Sequence, residues 1–365
     1  MLTTELCSIA GIRYPIIQAG MGPWSTSGLC AAVANAGGLG IISTSGLAMG
    51  MMAPQAMEWL VGPGETGTPY EVVKRILYRT KEATAEARGI FGINCPLAVE
   101  WGESRNQIVQ AAIDVRNEDA EMRDRFRVII TSAGNPAPWA ETIKASGAKW
   151  FHVVPSVYHA KKCEQAGVDA VIASGHEGGM HISWEPVHTM VLLPAVVKVV
   201  KVPVIGTGGF SDGATLAAAL ALGAVGVQMG TRFIATKESD FVDPWKQQIL
   251  QKGERDTMVA RGIAGPARYL KNSAAVELAD ITVKKSPNLY LGQADDLTTL
   301  DPDIMAKEME SWMGVIEGGR EDEKVLWAGG EVAGRIEDLP TVKELIERTC
   351  QEAEEVILSL PRNIK

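Results

Sequence analysis

The chain has 365 residues, 46% of them hydrophobic and 22% charged, which suits a large core: one barrel with a smaller attachment, or two ordinary domains. A net charge of −9 argues against a general nucleic-acid surface. The cysteines, at 7, 30, 95, 163 and 350, form no Cys-x-x-Cys and no disulfide framework, so a reducing, cytoplasmic setting is expected.

The opening stretch MLTTELCSIAGIRYP has no basic segment followed by an apolar one. No run approaches the roughly 18 apolar residues of a membrane span, so neither export nor a membrane partner is expected. Residues 14–18 predict a first strand, followed by the turn Ala19-Gly20-Met21-Gly22 and a helix over 27–36. Gly37-Gly38 stops that helix, and 39–43 predicts a second strand. A loop rich in Met, Gly and Pro is expected over 46–68, then an amphipathic helix over 69–88. Strands follow at 90–94, 127–131, 150–154 and 170–173, alternating with helices near 104–116, 138–146 and 157–166. Segment 174–188 is rich in Gly and His, and Pro194, a favoured first-turn residue, predicts the start of the next helix.

The stretch from 202 to 232 is the most regular of all. A β-branched run at 202–205 turns on Gly206-Thr207-Gly208-Gly209, and Asp212 is placed to cap a helix over 213–222. A second apolar run, 226–229, closes on Gly230-Thr231. Two glycine turns at the same end of neighbouring parallel strands bring bare backbone N–H groups together, a surface that favours phosphate. Eight strands alternating with helices predict an α/β fold, a (β/α)₈ TIM barrel, whose phosphate site lies after the seventh and eighth strands. Beyond 236 the rhythm stops. Residues 237–324 predict a helical substrate-capping domain, and 325–365, with a helix over 341–358, is expected to complete the barrel formed by 1–236.

Barrel chemistry sits at the carboxyl ends of the strands. That rim collects Gly20, Met21, Gly22, Asn94, Thr131, Ser132, the run Ser174 to His181, Gly208, Gly209, Gly230 and Thr231. Ser174–His181 reads SGHEGGMH. Its histidines are five apart across Gly178-Gly179, which does not fit the helical His-Glu-x-x-His of a zinc protease, and no metal is expected. An imidazole at a glycine-rich strand end suits a general acid or base, and His181 is the candidate. Glu177 could orient His181 or bond to nearby N–H groups. The dinucleotide fingerprint fails because Ser211 occupies its third glycine position. No Gly-x-Ser-x-Gly elbow or nucleophilic cysteine motif is present.

Taken in order, YPIIQAGMG (14–22), GGLGIIS (37–43), FGIN (91–94), SAGNP (132–136), GHEGGMH (175–181), GTGGFSDG (206–213), GVQMGTRFIATKES (226–239) and AGGEVAGRIEDLPTV (328–342) resemble the nitronate monooxygenase (2-nitropropane dioxygenase) family of FMN-dependent barrels. That family also includes NAD(P)H:quinone reductases and FMN-containing enoyl-acyl-carrier-protein reductases. The resemblance implies FMN near Gly20, Met21 and Gly22, with Asn94 at the ring. Ser174, Gly179, Gly209, Gln228, Met229, Gly230 and Thr231 would hold the ring, ribityl chain and phosphate. His181 takes the place of the catalytic histidine. Two departures, Met180 in place of a glycine and the additional imidazole His176, would bear on the substrate pocket.

The resulting expectation is oxidation of a nitronate or nitroalkane with O2 through the flavin, His181 moving the proton. The alternative is a reductase of a quinone or enoyl thioester loaded by NADH or NADPH. A flavin-binding module without turnover is the reading from another class. The expected partner is a small molecule, and a homodimer is allowed.

Overall fold

The computed structural model describes residues 2–50, 54–294, 301–316 and 322–363. Eight parallel strands form the barrel: β1 (Ile16–Gln18), β2 (Gly40–Ser43), β3 (Phe91–Pro96), β4 (Phe126–Ser132), β5 (Lys149–Val154), β6 (Ala170–Ser174), β7 (Val204–Thr207) and β8 (Val227–Met229). β1 pairs with β8 in the register Ile17–Gln228. A parallel bridge between Ile17 and Leu39 brings β1 against the approach to β2 and closes the ring. The fold is therefore the TIM barrel that the alternation predicts.

Strand parity divides the core into two layers. Ile17, Ile41, Val128, Ile130, Phe151, Ile172 and Ile205 fill the interior. Ile42, Ile93, Ile129, Trp150, Val171 and Val227 pack with the surrounding helices in a second cluster. Helix Val342–Ser359 closes the shell against helix Gly213–Ala221, where the Glu352 carboxylate accepts from the Gly213 N–H at 3.2 Å. Its start is a reciprocal cap between Thr341 and Glu344, and Asp212 caps the Gly213 helix by accepting from Thr215 N at 2.9 Å.

Three sequence expectations change. The stretch 46–68 holds a helix, Pro54–Val61, although residues 51–53 lie outside the described residues. The helix expected to start at Pro194 starts at Thr189 and contains Pro194, because Glu177 satisfies the first free N–H five residues earlier. The segment 237–324 is not purely helical. Besides helices Asp243–Gln251, Ser273–Lys285 and Pro302–Ile316 it carries an antiparallel hairpin, β9 (Thr257–Gly262) and β10 (Gly265–Leu270). β10 is buried at all six positions and contains Pro266 and Arg268, so no polar–apolar alternation marks it. Its second neighbour is the two-residue strand Met180–His181, far away in sequence.

Apolar side chains of this segment form a cluster of their own with Trp24 and the 325–336 stretch. Trp24, Phe241, Trp245 and Trp327 meet edge-to-face with ring centroids 4.7 to 5.6 Å apart.

Candidate active site

The interior parity of the strands continues past the apolar layer to their carboxyl ends. Counting in twos from Ile130 gives Ser132, from Ile172 gives Ser174, and from Ile205 gives Thr207. Asn94 and Gln228 hold the corresponding places on β3 and β8. All five line one cavity of about 670 Å³, a size that encloses a drug-sized ligand. The wall also includes Gly20, Met21, Gly22, Gly179, Met180, His181, Gly208, Gly209, Met229, Gly230 and Thr231, so most of the residues expected at the site converge.

Two do not. Thr131 has the opposite parity to Ser132 and lies in the outer layer, fully buried. Its hydroxyl meets His152 Nδ1 at 2.7 Å and accepts from Trp150 Nε1 at 2.8 Å, so it is a core hydrogen-bond node. His176 is also absent from the cavity wall. Arg268 donates to its carbonyl at 2.9 Å and lies 3.3 Å from its Nδ1, while His188 packs edge-on to its ring. Burial, with Arg268 and His188 alongside, lowers the His176 pKa to about 4.

Two glycine turns in the wall carry free backbone donors. Among the described residues, nothing accepts a hydrogen bond from the backbone N–H groups of Gly208, Gly209, Gly230 and Thr231. Nearly all buried N–H groups are paired in folded proteins, so four free ones at adjoining turns suit a ligand with acceptor oxygens. Gly208 and Gly209 take φ of +90° and +85°, conformations open to glycine, and a Cβ on Gly209 would stand in empty space within the cavity.

Another part of the wall is apolar. Trp184, Phe241, Trp245, Ile263, Trp312 and Val332 line it, all from beyond β6 and most from the segment after β8. Sequence reading missed these residues, together with Gly329 and Gly330. The glycine pair in WAGGEV was the available signal; the tryptophans lie in stretches with no strand–helix rhythm.

His181 lines the same cavity. The other histidines have partners: His152 meets Thr131, His159 meets Ser156 at 2.8 Å, His176 meets Arg268, and His188 lies 3.7 Å from Glu177. No described residue hydrogen-bonds the His181 ring, which is exposed on the cavity wall. The protein packed around the cavity lowers its pKa to about 4 by desolvation, leaving a neutral imidazole at pH 7 that can accept a proton. Glu177 does not orient it; its carboxylate accepts from Thr189 N at 2.9 Å and caps the Thr189 helix.

The backbone around His181 is fixed from two sides. Met180 and His181 pair with Arg268 and Ala267 of β10, and Ile182 N donates to Pro266 O at 3.0 Å. A Cβ on Gly179 would lie 2.6 Å from Gly330 N, so only glycine lets this loop pack against 329–330. Met180 keeps a φ of +56°, the left-handed conformation natural to glycine, and its side chain packs against two apolar clusters formed largely by residues beyond 233. The departure from the family's glycine therefore leaves the turn in place and adds a thioether to the cavity wall.

The family model described as nitronate monooxygenase matches residues 3–352. The (3aS,4S,5R,7aS)-5-hydroxy-7a-methyl-1-oxo-octahydro-1H-indene-4-carboxyl-CoA dehydrogenase of Rhodococcus jostii (strain RHA1) is 30% identical over 378 residues, covering 96% of each chain. A probable nitronate monooxygenase of Staphylococcus saprophyticus is 34% identical over 292 residues, covering 74% of this chain and 79% of that one. Among solved structures, FabK from Thermotoga maritima superposes with a TM-score of 0.78 at 31% identity, covering 100% of both chains.

Proposed function

This chain belongs to the nitronate monooxygenase family and is an oxidoreductase, and from that premise we propose that it binds FMN and acts on the Cα–Cβ bond of an apolar acyl thioester. The observation that carries the substrate class is the apolar half of the cavity. Trp184, Phe241, Trp245, Ile263 and Trp312 offer far more apolar surface than a small nitronate can cover. The full-length match to a carboxyl-CoA dehydrogenase supports the same reading.

FMN fits the residues present. The free N–H groups of Gly208, Gly209, Gly230 and Thr231 would hold its phosphate. Asn94 and Gln228 would meet the ring edge, and the Ser132 hydroxyl, donating to Asn94 Oδ1 at 3.3 Å, leaves the Asn94 amide N–H groups free for that purpose. Bound there, FMN supplies a two-electron acceptor or donor for the hydrogen on Cβ.

The protein's own part is proton transfer and placement. In the oxidative direction the neutral His181 imidazole takes the Cα proton; in the reductive direction the same nitrogen returns it. The aromatic wall excludes water and holds the acyl group across the His181 ring. Residues 237–324 serve as the cap that selects this group. Loading by NADH or NADPH would make the enzyme a reductase of enoyl thioesters.

A second reading, oxidation of a nitronate with O2, is favoured by the family model and by the Staphylococcus relative. A nitronate has already lost its Cα proton, so in this reading His181 takes a proton only when the substrate is the parent nitroalkane. Steady-state kinetics decide between the two. The thioester reading expects kcat/KM for an acyl- or enoyl-CoA to exceed that for propane-2-nitronate, and the reverse order would reject it.

A further inference from the structure

Glu308 is a buried carboxylate that the proposed reaction does not use. It lies on helix Pro302–Ile316, 2% exposed, facing β9 and β10. Its Oε2 accepts from the backbone N–H of Ile263 at 2.5 Å and its Oε1 from the Tyr269 hydroxyl at 3.2 Å. The Trp312 side chain, one helical turn further on, also hydrogen-bonds to it. Burial raises its pKa, while these donors and the Arg261 guanidinium favour the ionised form. That guanidinium stacks over Trp184, 4.8 Å from the ring centroid.

These contacts have one thing in common. Ile263, Trp312 and Trp184 all line the apolar half of the cavity, although Glu308 does not. Ile263 and Ala264 form the tip of the hairpin whose strand β10 pairs with His181 through Ala267. One carboxylate thus ties the hairpin tip, an indole on a separate helix and a cation-stacked indole into a single wall. A carboxylate in such a place is costly to desolvate and is offset by the donors gathered on it, so its contacts hold those donors in fixed positions.

We propose that Glu308 is a specificity-determining positioning residue. It fixes the distance between the hairpin tip and Trp312, and so the width of acyl group that the cavity takes. The inference rests on the thioester reading of the site. Neutralising Glu308 loosens the wall on which a wide, ring-bearing acyl group depends, while a narrow chain makes little use of it.

The test uses the protein as purified, with isothermal titration of cyclohexanecarboxyl-CoA and butyryl-CoA. Glu308→Gln is expected to weaken the ring-bearing thioester by about tenfold, the scale of one buried charged hydrogen bond, with less than about twofold change for butyryl-CoA. Ile263→Ala opens the same wall without touching a charge and is expected to shift the ratio in the same direction, which covers the case in which Glu308→Gln does not fold. Thermal melting of each variant separates a stability loss from a change in selectivity. Binding of both ligands to the wild type with an unchanged ratio in the folded variants overturns this inference alone. If neither ligand binds the wild type, the thioester reading falls and this inference with it.

Discussion

Gly209 allows the proposed phosphate contact to be tested separately from folding. Its φ is +85° and no atom lies within 4 Å of where its Cβ would be. Gly209→Val therefore meets no steric obstacle within the protein and incurs mainly the left-handed backbone cost, about 1–2 kcal/mol. With about 2.1 cal/mol/K of unfolding entropy per residue, a chain of 365 residues then loses about 1–3 °C in Tm. The new side chain occupies the space in front of the free N–H groups of Gly208 and Gly209. Each hydrogen bond to a charged group contributes roughly 1.5–3 kcal/mol, so losing two raises the FMN dissociation constant by about 10²–10⁴. The assay pairs thermal melting with flavin content, measured by absorbance after denaturation and by back-titration with FMN. The expected product is folded and colourless. Gly208→Ala is the contrast, since its Cβ would lie 2.7 Å from Gly175 O and should disturb the loop itself. Stoichiometric FMN in folded Gly209→Val would refute the assignment of the phosphate to this turn.

Other outcomes follow from the histidines and the cap. His181→Ala should lower turnover by about 10²–10⁴ with flavin retained, whereas His176→Ala, outside the cavity, should cost far less; flavin content and kcat for the two variants check this. If His181 accepts the proton, its folded pKa of about 4 makes the rate level above about pH 5 and falling below about pH 4, read from a pH profile of kcat. His152 is also held to about 4 by burial, below its unfolded value, so the unfolded chain binds the extra proton between these limits. Its contribution to stability is intact above about pH 6.5 and declines by about 1 kcal/mol per pH unit as pH falls towards 4. Denaturant titrations of wild type and His152→Gln across that range should show a shallower acid dependence in the variant. Trp312→Ala should change substrate preference while leaving flavin content near that of wild type, measured by kcat/KM across acyl-CoA lengths.

The barrel was legible because its strands are short apolar runs separated by helices and glycine turns, a rhythm that survives errors at every boundary. Much of the polar rim was legible for the same reason: Asn94, Ser174 and Gly230 follow from strand ends, while Gln228 was implied only by the family resemblance. Thr131 shows the limit of that argument. A strand end has two faces, and counting in twos from Val128 and Ile130 puts Ser132, rather than Thr131, inside. His176 shows another, since proximity in sequence to His181 did not put it in the cavity wall once Arg268 held it from β10. The hairpin β9–β10 was hidden because its second strand is buried throughout and pairs with two residues some ninety positions earlier, a long-range contact that no local pattern reports. The apolar wall was hidden with it, because Ile263 and Trp312 owe their place to that hairpin and to the Glu308 carboxylate.

The most direct measurement is anaerobic mixing of the purified protein with candidate substrates, followed by the visible flavin band. The account predicts a yellow protein whose flavin is bleached by a saturated acyl-CoA bearing an apolar ring. If the electrons run the other way, NADH or NADPH bleaches it and the corresponding enoyl-CoA restores the colour. Bleaching by propane-2-nitronate alone, with neither a saturated nor an unsaturated thioester exchanging electrons, would contradict it.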